Sequence, residues 1–319
     1  MMPVNRSIKV LVWLILCLIW GSTWIFIKIG LEDLPPIGFA ATRFLLASII
    51  IFAIIVIRKI GLPKTRSEWC LIALTGFLQF ALNYSAVFWS EQHITSGLTA
   101  VLQATITVFG LVLAWIFLPH ERITPQKIIA VVIGIVGVGV IFADQLRVQN
   151  WMAFAACVGV VLGSYAAAQA SVLVKAKAGG IHPASLVLGQ MLCGLPFIIA
   201  YSLIVEGNPI DFHWTWKALI CVLYLTLAGT IAAFWLYYWL LSKIESTKAM
   251  MISLVTPLIA VIIGAVTLGE TLPPQTGIGG ALIITSISLI VFRRRRTIEP
   301  QSRGDAENSL TGMEGMKEI

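Results

Sequence analysis

The sequence is poor in charge. Charged residues make up 12% of the 319 positions and hydrophobic residues 58%, whereas about 25% of a soluble domain is charged because its surface must be hydrated. This composition excludes an ordinary soluble globular protein and predicts an all-helical integral membrane protein whose solvent is lipid. The formal charge of +7 is spread between apolar runs, so no nucleic-acid partner is predicted.

Chemically reactive side chains are also scarce. The five cysteines lie in or beside apolar runs, without a CxxC pair or a His at metal-ligand spacing. This is typical of small buried hydrophobes and not of disulfides or zinc ligands. The four histidines fall in or near predicted loops, and no carboxylate stands in the middle of an apolar run. We therefore predict no catalytic residue, no metal site and no cofactor.

The chain does contain ten apolar runs of about the length that crosses a bilayer. The predicted spans are 10–30, 38–57, 69–89, 95–118, 127–143, 151–174, 183–205, 218–241, 249–268 and 276–292. The fifth and tenth lie at the short end of the usual range. Arg6 and Lys9 precede the first run, which is too long for a signal-peptide core, so we expect it to remain as the first span.

The positions of Lys and Arg orient these spans. With the N-terminus in the cytoplasm, sixteen of the 22 basic residues fall at cytoplasmic span ends and loops, and only Lys28, Arg147 and Lys217 fall outside. Basic residues concentrate on the cytoplasmic side of membrane proteins. The pattern therefore predicts ten spans in a plasma (inner) membrane with both termini cytoplasmic, the last span being anchored by Arg293–Arg296.

The two halves of the chain repeat one another in order. Matching residues recur at spacings of 142 to 149: Gly21–Ser22 with Gly163–Ser164, Pro35 with Pro183, Glu121 with Glu270, Pro125 with Pro274, and Gln126 with Gln275. Because five spans per half is an odd number, tandem halves enter the membrane from opposite sides and are inverted. We predict a cytoplasmic N-terminus over 1–9, five-helix repeats over 10–143 and 151–292, and a basic anchor with a disordered tail over 293–319.

Short motifs mark both halves: Trp20–Gly21–Ser22–Thr23–Trp24, Pro35, Pro36, Arg43, Phe44, Thr256–Pro257 and Leu268–Gly269–Glu270. Through them, nearly all of 10–292 resembles the EamA family of the drug/metabolite transporter superfamily. The resemblance implies ten helices in two inverted repeats around a central cavity, and movement of metabolites or drugs, often as export. It also implies that the glycine-rich fifth and tenth spans support the fold. Val108 stands where the second half has Pro257, so we expect the halves to bend differently.

Polar stripes inside the spans indicate a protein interior or a water-filled cavity, since polar side chains that face lipid are costly. The candidate cavity residues are Trp20, Ser22, Trp24, Arg43, Gln79, Asn83, Gln103, Thr107, Tyr165, Gln169, Gln190, Thr230 and Tyr237. For the hydroxyl and amide side chains, the alternative is hydrogen bonding between helices. For the tryptophans, the alternative is an aromatic belt at the membrane interface.

Arg43 is the most informative single candidate, because it is a charged residue inside a predicted span. One interpretation is that it snorkels to the outer interface. Another is that it faces the cavity mouth and binds a substrate carboxylate or phosphate. A third is a structural or gating pair with Glu32, Asp33 or Glu91 in the outer loops.

Ion coupling and helix bending involve a separate set of residues. Proton-coupled carriers usually keep an ionisable group inside the membrane, and here the candidates are Glu91, Glu121 and Glu270 at span ends. For Glu121 and Glu270 we favour the capping of loops. Pro196 and Pro257 lie inside spans and are predicted to kink them, since each frees a backbone carbonyl.

These features favour a transporter that exports small amphipathic metabolites, amino acids or related compounds, or drugs, by alternating access. Aromatic and amide side chains beside few charges favour a neutral or zwitterionic substrate. A non-transporting membrane receptor or partner protein is the alternative. An intramembrane enzyme acting on a lipid-linked substrate is less favoured, because no catalytic group of side chains is evident. The expected partners are a small molecule and the lipid bilayer, and the oligomeric state stays open.

Overall fold

Residues 5–268 and 274–291 are described by the computed structural model, and every regular element in these two stretches is helical. The helices are α1 (Arg6–Gly30), α2 (Pro36–Arg58), α3 (Arg66–Glu91), α4 (Ser96–Gln103 and Ile106–Phe117), α5 (Pro125–Ile141), α6 (Trp151–Lys177), α7 (Pro183–Val205), α8 (Trp216–Lys243), α9 (Ser246–Met250 and Ile252–Leu268) and α10 (Pro274–Val291). Single 3₁₀ turns at Ala143–Gln145 and Pro209–Asp211 lie in loops.

Eight of these helices are long and apolar enough to cross a membrane, whereas α5 and α10 are shorter apolar helices. Large apolar side chains cover the outward faces: Leu18 is 57% exposed, Phe52 55% and Ile204 83%. Apolar surface of this extent is unfavourable in water and is solvated by lipid chains. The predicted all-helical membrane protein is therefore confirmed, and each predicted apolar run overlaps one helix.

Proline explains where several helices begin. Pro36, Pro125, Pro183 and Pro274 stand in the first turn of α2, α5, α7 and α10. A missing N–H costs little there, because the first amides of a helix have no partner within it. The second and fifth helices of each predicted half therefore begin with the same residue type.

Two helices contain a π-helical segment at matching places. Phe77–Tyr84 lies within α3 and Leu227–Ala232 within α8, about 150 positions later. Such segments are rare, and they are frequent at functional sites. At the start of the first one, a Cβ on Gly76 would lie 2.4 Å from the carbonyl oxygen of Gln190. Helices α3 and α7 therefore pack backbone to backbone at this point.

Helices α4 and α9 are each interrupted near their start, at Ala104–Thr105 and at Met251. Neither break lies at Val108 or Pro257, the positions where the two halves are expected to bend differently. The interruption in α4 needs no proline, and the interruption in α9 precedes Pro257, which lies inside a helix that continues to Leu268.

The short helices α5 and α10 pack against each other. A Cβ on Gly137 would lie 2.8 Å from the carbonyl oxygen of Gly279, and one on Gly279 would lie 2.5 Å from that of Gly137. Only glycine permits this approach. Gly139 and Gly277 have open space around them instead. Only some of the glycines in α5 and α10 therefore lie at contacts between helices.

Polar contacts join the loops at each end of the bundle. At one end, Thr215 donates to Asp33, and the carboxylate of Glu206 accepts from the amides of Ile37 (2.8 Å) and Gly38 (2.6 Å). We call this the Asp33 end. The contact between Asp33 and Thr215 holds the loop after α1 beside the loop before α8.

At the opposite end, called the Glu121 end, the Glu121 carboxylate accepts from the amide (2.8 Å) and hydroxyl (2.6 Å) of Ser246 at the start of α9. The Lys127 ammonium lies 3.0 Å from the Glu245 carboxylate. Lys175 donates to two carbonyl oxygens where α8 ends. These contacts stabilise helix termini whose backbone groups have no partner in their own helix.

Candidate functional site

A cavity of about 1040 Å³, counting the space at its open mouth, lies in the middle of the bundle. Its described lining comes from α1, α2, α3, α4, α6, α8 and α9. Helices α5, α7 and α10 contribute no described lining residue.

The structure brings together candidates that are far apart in sequence. The cavity-lining candidates are Trp20, Trp24, Arg43, Gln79, Asn83, Gln103, Tyr237 and Glu91. They come from five helices, so only the packed bundle makes them neighbours.

Amide side chains form one wall. The Gln103 side-chain amide donates to the Asn83 Oδ1 atom at 3.2 Å and joins α4 to α3. Gln79 lies one turn before Asn83 in the π segment of α3. The structure gives the Gln79 amide no hydrogen bond to described residues, so its donor and acceptor atoms are free for a ligand.

Aromatic rings line another part of the cavity. The Trp20 Nε1 atom donates to the carbonyl oxygen of Gly229 in the π segment of α8, at 3.3 Å. The Trp20 ring centroid lies 5.7 Å from that of Phe234 and 5.3 Å from that of Tyr237. Tyr237 donates to the Ser171 hydroxyl at 3.1 Å. These contacts fix flat, largely apolar surfaces against which an amphipathic ligand can pack.

Arg43 lies inside the bundle and is 3% exposed. Its Nη2 atom is 3.5 Å from the Tyr84 hydroxyl, and its guanidinium carbon is 4.7 Å and 5.3 Å from the Phe44 and Tyr84 ring centroids. In the described chain no carboxylate lies within 4.0 Å of it, and its Nε atom has no hydrogen-bond partner. Of the three predicted partners, Asp33 is occupied by Thr215 and His213.

Glu91, at the end of α3, also lines this cavity. Its side chain is partly exposed, and the structure shows no hydrogen bond or ion pair between it and the described residues. The two charged residues among the described lining are therefore Arg43 and Glu91, and they are not paired with each other.

Six other candidates do not line the cavity. Three of them form hydrogen bonds to other helices, as the alternative predicts: Ser22 with Tyr224 (2.5 Å), Thr107 with Ser253 (3.0 Å) and Gln190 with Thr75 (2.7 Å). Thr230 is fully buried, but its Oγ1 atom has no hydrogen-bond partner among the described residues. Tyr165 is 44% exposed on the outer side of α6 and packs on Phe109. The Oε1 atom of Gln169 is buried without a hydrogen-bond partner.

The remaining candidates are Glu121, Glu270 and Pro196. Glu121 caps the start of α9, and Glu270 lies outside the described residues. Pro196 lies inside α7, which continues past it to Val205.

Several lining residues were not named as cavity candidates from the sequence, although Thr23 and Thr256 lie in the family motifs: Thr23, Tyr84, Phe88, Ser171, Ser253 and Thr256. Ser253 and Thr256 are three positions apart in an apolar span, and this polar pair was a detectable signal. Tyr84 was harder to find, because the π segment changes which side chains of α3 share a face.

The match to known proteins decides the family. The model of the EamA-like transporter family matches residues 7–143 and again residues 154–292. The chain belongs to the EamA-like transporter family. It is therefore a membrane protein of a transporter family, and each matched stretch covers one of the two predicted halves.

Individual relatives agree with this assignment. The uncharacterized transporter YoaV of Bacillus subtilis is 26% identical over 88% of this chain and 96% of its own. The uncharacterized inner membrane transporter YedA of Escherichia coli is 28% identical, over 87% and 88%. A probable amino-acid metabolite efflux pump of Escherichia coli is 26% identical, over 88% and 94%. One protein crystal structure superposes with a TM-score of 0.76 at 15% identity, covering 90% of this chain and 97% of its own, and so shares the fold.

Proposed function

We propose that this protein is a carrier that exports small amphipathic metabolites, amino acids or related compounds, or drugs, by alternating access. The central cavity carries the proposal. It combines amides, aromatic rings and a buried, unpaired arginine in one space among seven helices. A probable amino-acid metabolite efflux pump among the relatives supports the same substrate class.

The proposed architecture is ten spans in two inverted five-helix halves, with both termini in the cytoplasm of a plasma (inner) membrane. The matched π segments in α3 and α8, and the matched proline starts of α2 with α7 and of α5 with α10, support two equivalent halves. Inverted halves give the molecule two alternative gates around one site. The Glu121 end then faces the cytoplasm, and its polar contacts are part of the proposed cytoplasmic gate.

Arg43 is proposed to bind the anionic group of the substrate. A guanidinium binds carboxylate or phosphate through two parallel hydrogen bonds. A bound anionic group would pair with the Arg43 guanidinium, which has no carboxylate partner among the described residues, and would relieve the cost of an unpaired buried charge.

The test compares cells that overproduce the wild-type protein with cells that overproduce Arg43→Gln or Gln79→Ala variants. Each strain is challenged with toxic amino acids, their analogues and drugs, and efflux of protective compounds is then measured from proteoliposomes. Since a hydrogen bond to a charged group contributes about 1.5–3 kcal/mol, Arg43→Gln should raise KM for an anionic or zwitterionic substrate roughly tenfold to a hundredfold.

Arg58→Gln is the matched control, because Arg58 is exposed at the far end of the same helix. It should keep wild-type transport. Protection that survives both Arg43→Gln and Gln79→Ala would refute the site. A wild-type protein that binds a compound but moves none would favour the receptor alternative.

A further inference from the structure

Two opposite charges in the central cavity lack a protein partner. The Arg43 guanidinium contacts only a hydroxyl and two aromatic rings. The Glu91 carboxylate faces the same cavity without a hydrogen bond or ion pair to any residue that the structure describes. The two side chains are also more than 4.0 Å from each other, since they form no ion pair.

Elsewhere the fold does pair its charges. Lys127 lies 3.0 Å and Lys248 lies 3.2 Å from the Glu245 carboxylate. Glu206 and Glu121 accept hydrogen bonds from the starts of helices. Leaving a charge unpaired away from water is costly, so a group from outside the chain is the natural partner for the buried Arg43. Glu91 is partly exposed in the same cavity and can be reached by the same ligand.

The two charges stand at different depths. Tyr84, which contacts Arg43, and Glu91 are seven residues apart on α3, which is a rise of about 10 Å. Glu91 is at the end of its helix that leads to the Asp33 end, whereas Arg43 lies seven residues inside α2. Between these levels the lining includes the apolar Val87 and Phe88.

A ligand that satisfies both charges needs an anionic group, a cationic group and an apolar body. We propose that Glu91 binds the cationic amine of a zwitterionic substrate whose anionic group is bound by Arg43. Glu91 is then the residue that determines specificity for substrates with a free amine. This inference rests on the proposed carrier function and narrows its substrate class from amphipathic compounds to zwitterions.

Binding to the purified full-length protein in nanodiscs tests the assignment. The probes are the dipeptide leucyl-leucine and the tripeptide leucyl-leucyl-leucine, whose terminal charges can lie about 7 Å and about 10 Å apart, each compared with its N-acetyl and its carboxamide derivative. Trp20 and Trp24 line the cavity, so quenching of tryptophan fluorescence reports occupancy. We expect at least one parent zwitterion to bind about tenfold or more tightly than its N-acetyl and its carboxamide derivative, the loss expected for one charged hydrogen bond.

Substitution then assigns each preference to one residue. Glu91→Gln should weaken binding of the zwitterion about tenfold while leaving the N-acetyl derivative unchanged, so that the preference for a free amine disappears. Arg43→Gln should remove the preference for the free carboxylate in the same way. Glu32→Gln, which changes an exposed carboxylate outside the cavity, should keep both preferences.

The outcomes separate the two proposals. A Glu91→Gln protein that keeps the wild-type preference for free amines overturns the role of Glu91, but leaves the carrier function standing. Equal weakening of zwitterion and N-acetyl derivative also overturns it, because that pattern reports a structural role. If Glu91→Gln does not fold, Glu91→Asp should retain the preference, and the wild-type comparison still decides the substrate class. Binding and transport of no compound at all would overturn the carrier proposal itself.

Discussion

Arg43 and Asp33 lie ten residues apart in sequence but in different electrostatic surroundings. Asp33, in the loop after α1, accepts one hydrogen bond from the Thr215 hydroxyl, and its Oδ1 atom lies 3.3 Å from the His213 Nδ1 atom. Arg43 lies inside α2, seven residues after the helix begins, and no carboxylate of the described residues lies within 4.0 Å of it. The loop charge therefore has a structural partner, whereas the cavity charge has none among the described residues, which is what the proposed substrate site requires.

The acid dependence of stability should report the Asp33 contact. The hydrogen bond from Thr215 holds the pKa of Asp33 below its ordinary value, and the nearby His213 and Lys217 add to this effect. A depressed pKa in the folded state gives stability that is present above the ordinary value of about 3.9 and is lost as the pH falls through the folded pKa.

The Thr215 hydroxyl also caps the start of α8 by accepting from the Ala218 amide, so Thr215→Val should lower the thermal midpoint at every pH. We expect the difference from wild type to be larger above about pH 4 and to shrink in more acidic buffer, where the contribution of the Asp33 carboxylate is lost. Thermal unfolding of the purified protein across this range measures it. Thr267→Val serves as the control, because the Thr267 hydroxyl bonds only a carbonyl of its own helix. A deficit that stays the same at every pH would contradict the role of the carboxylate.

At the scale of the helix, small local departures from α geometry shape the cavity. The π segment of α3 contains Gln79 and Asn83, which line the cavity. The π segment of α8 contains Gly229, whose carbonyl oxygen accepts a hydrogen bond from the cavity-lining Trp20. A π turn contains one extra residue, so it rotates the side chains that follow it relative to those before it. The same departure from α geometry occurs once in each of the two stretches that match the family model.

The helix pair α5 and α10 offers a matched test of packing. Gly137→Ala should lower the thermal midpoint, because its Cβ would lie 2.8 Å from the Gly279 carbonyl oxygen and 3.0 Å from Ile283. Overpacking of this kind costs about 1–3 kcal/mol. Gly139→Ala, two residues away with nothing within 4 Å of its Cβ, should be neutral or slightly stabilising, since alanine favours helix. Equal effects of the two changes would refute the contact.

For the whole molecule, the order of the helices makes a prediction about sidedness. With both termini cytoplasmic, the loop before α6 lies outside and the loop after α6 lies inside. In a protein whose exposed Cys70 is replaced by Ser, we expect Gln149→Cys to react with an impermeant maleimide on intact cells. Gly180→Cys should react only after the cells are permeabilised. The reverse pattern would invert the orientation, and labelling of both from one side would mean that α6 does not cross.

The helices and their order were predictable from the sequence for a general physical reason. Lipid offers no hydrogen bonds, so an apolar run in a membrane must satisfy its own backbone as a helix. The runs over 183–205 and 10–30 correspond closely to α7 and α1. The candidate polar residues could also be identified from the sequence, because a polar side chain inside such a run is costly unless it has a structural or functional role.

The direction in which each polar side chain points was decided only by the tertiary structure. Gln79 and Gln190 are both amides inside apolar runs, yet Gln79 lines the cavity while Gln190 donates to Thr75 between α3 and α7. The rotation of a helix about its axis is set by its packing, here by the close approach of Gly76 to the backbone of Gln190. The π segment then changes the periodicity within α3. Neither effect is encoded in the spacing of polar residues along one helix, because both depend on the neighbouring helices.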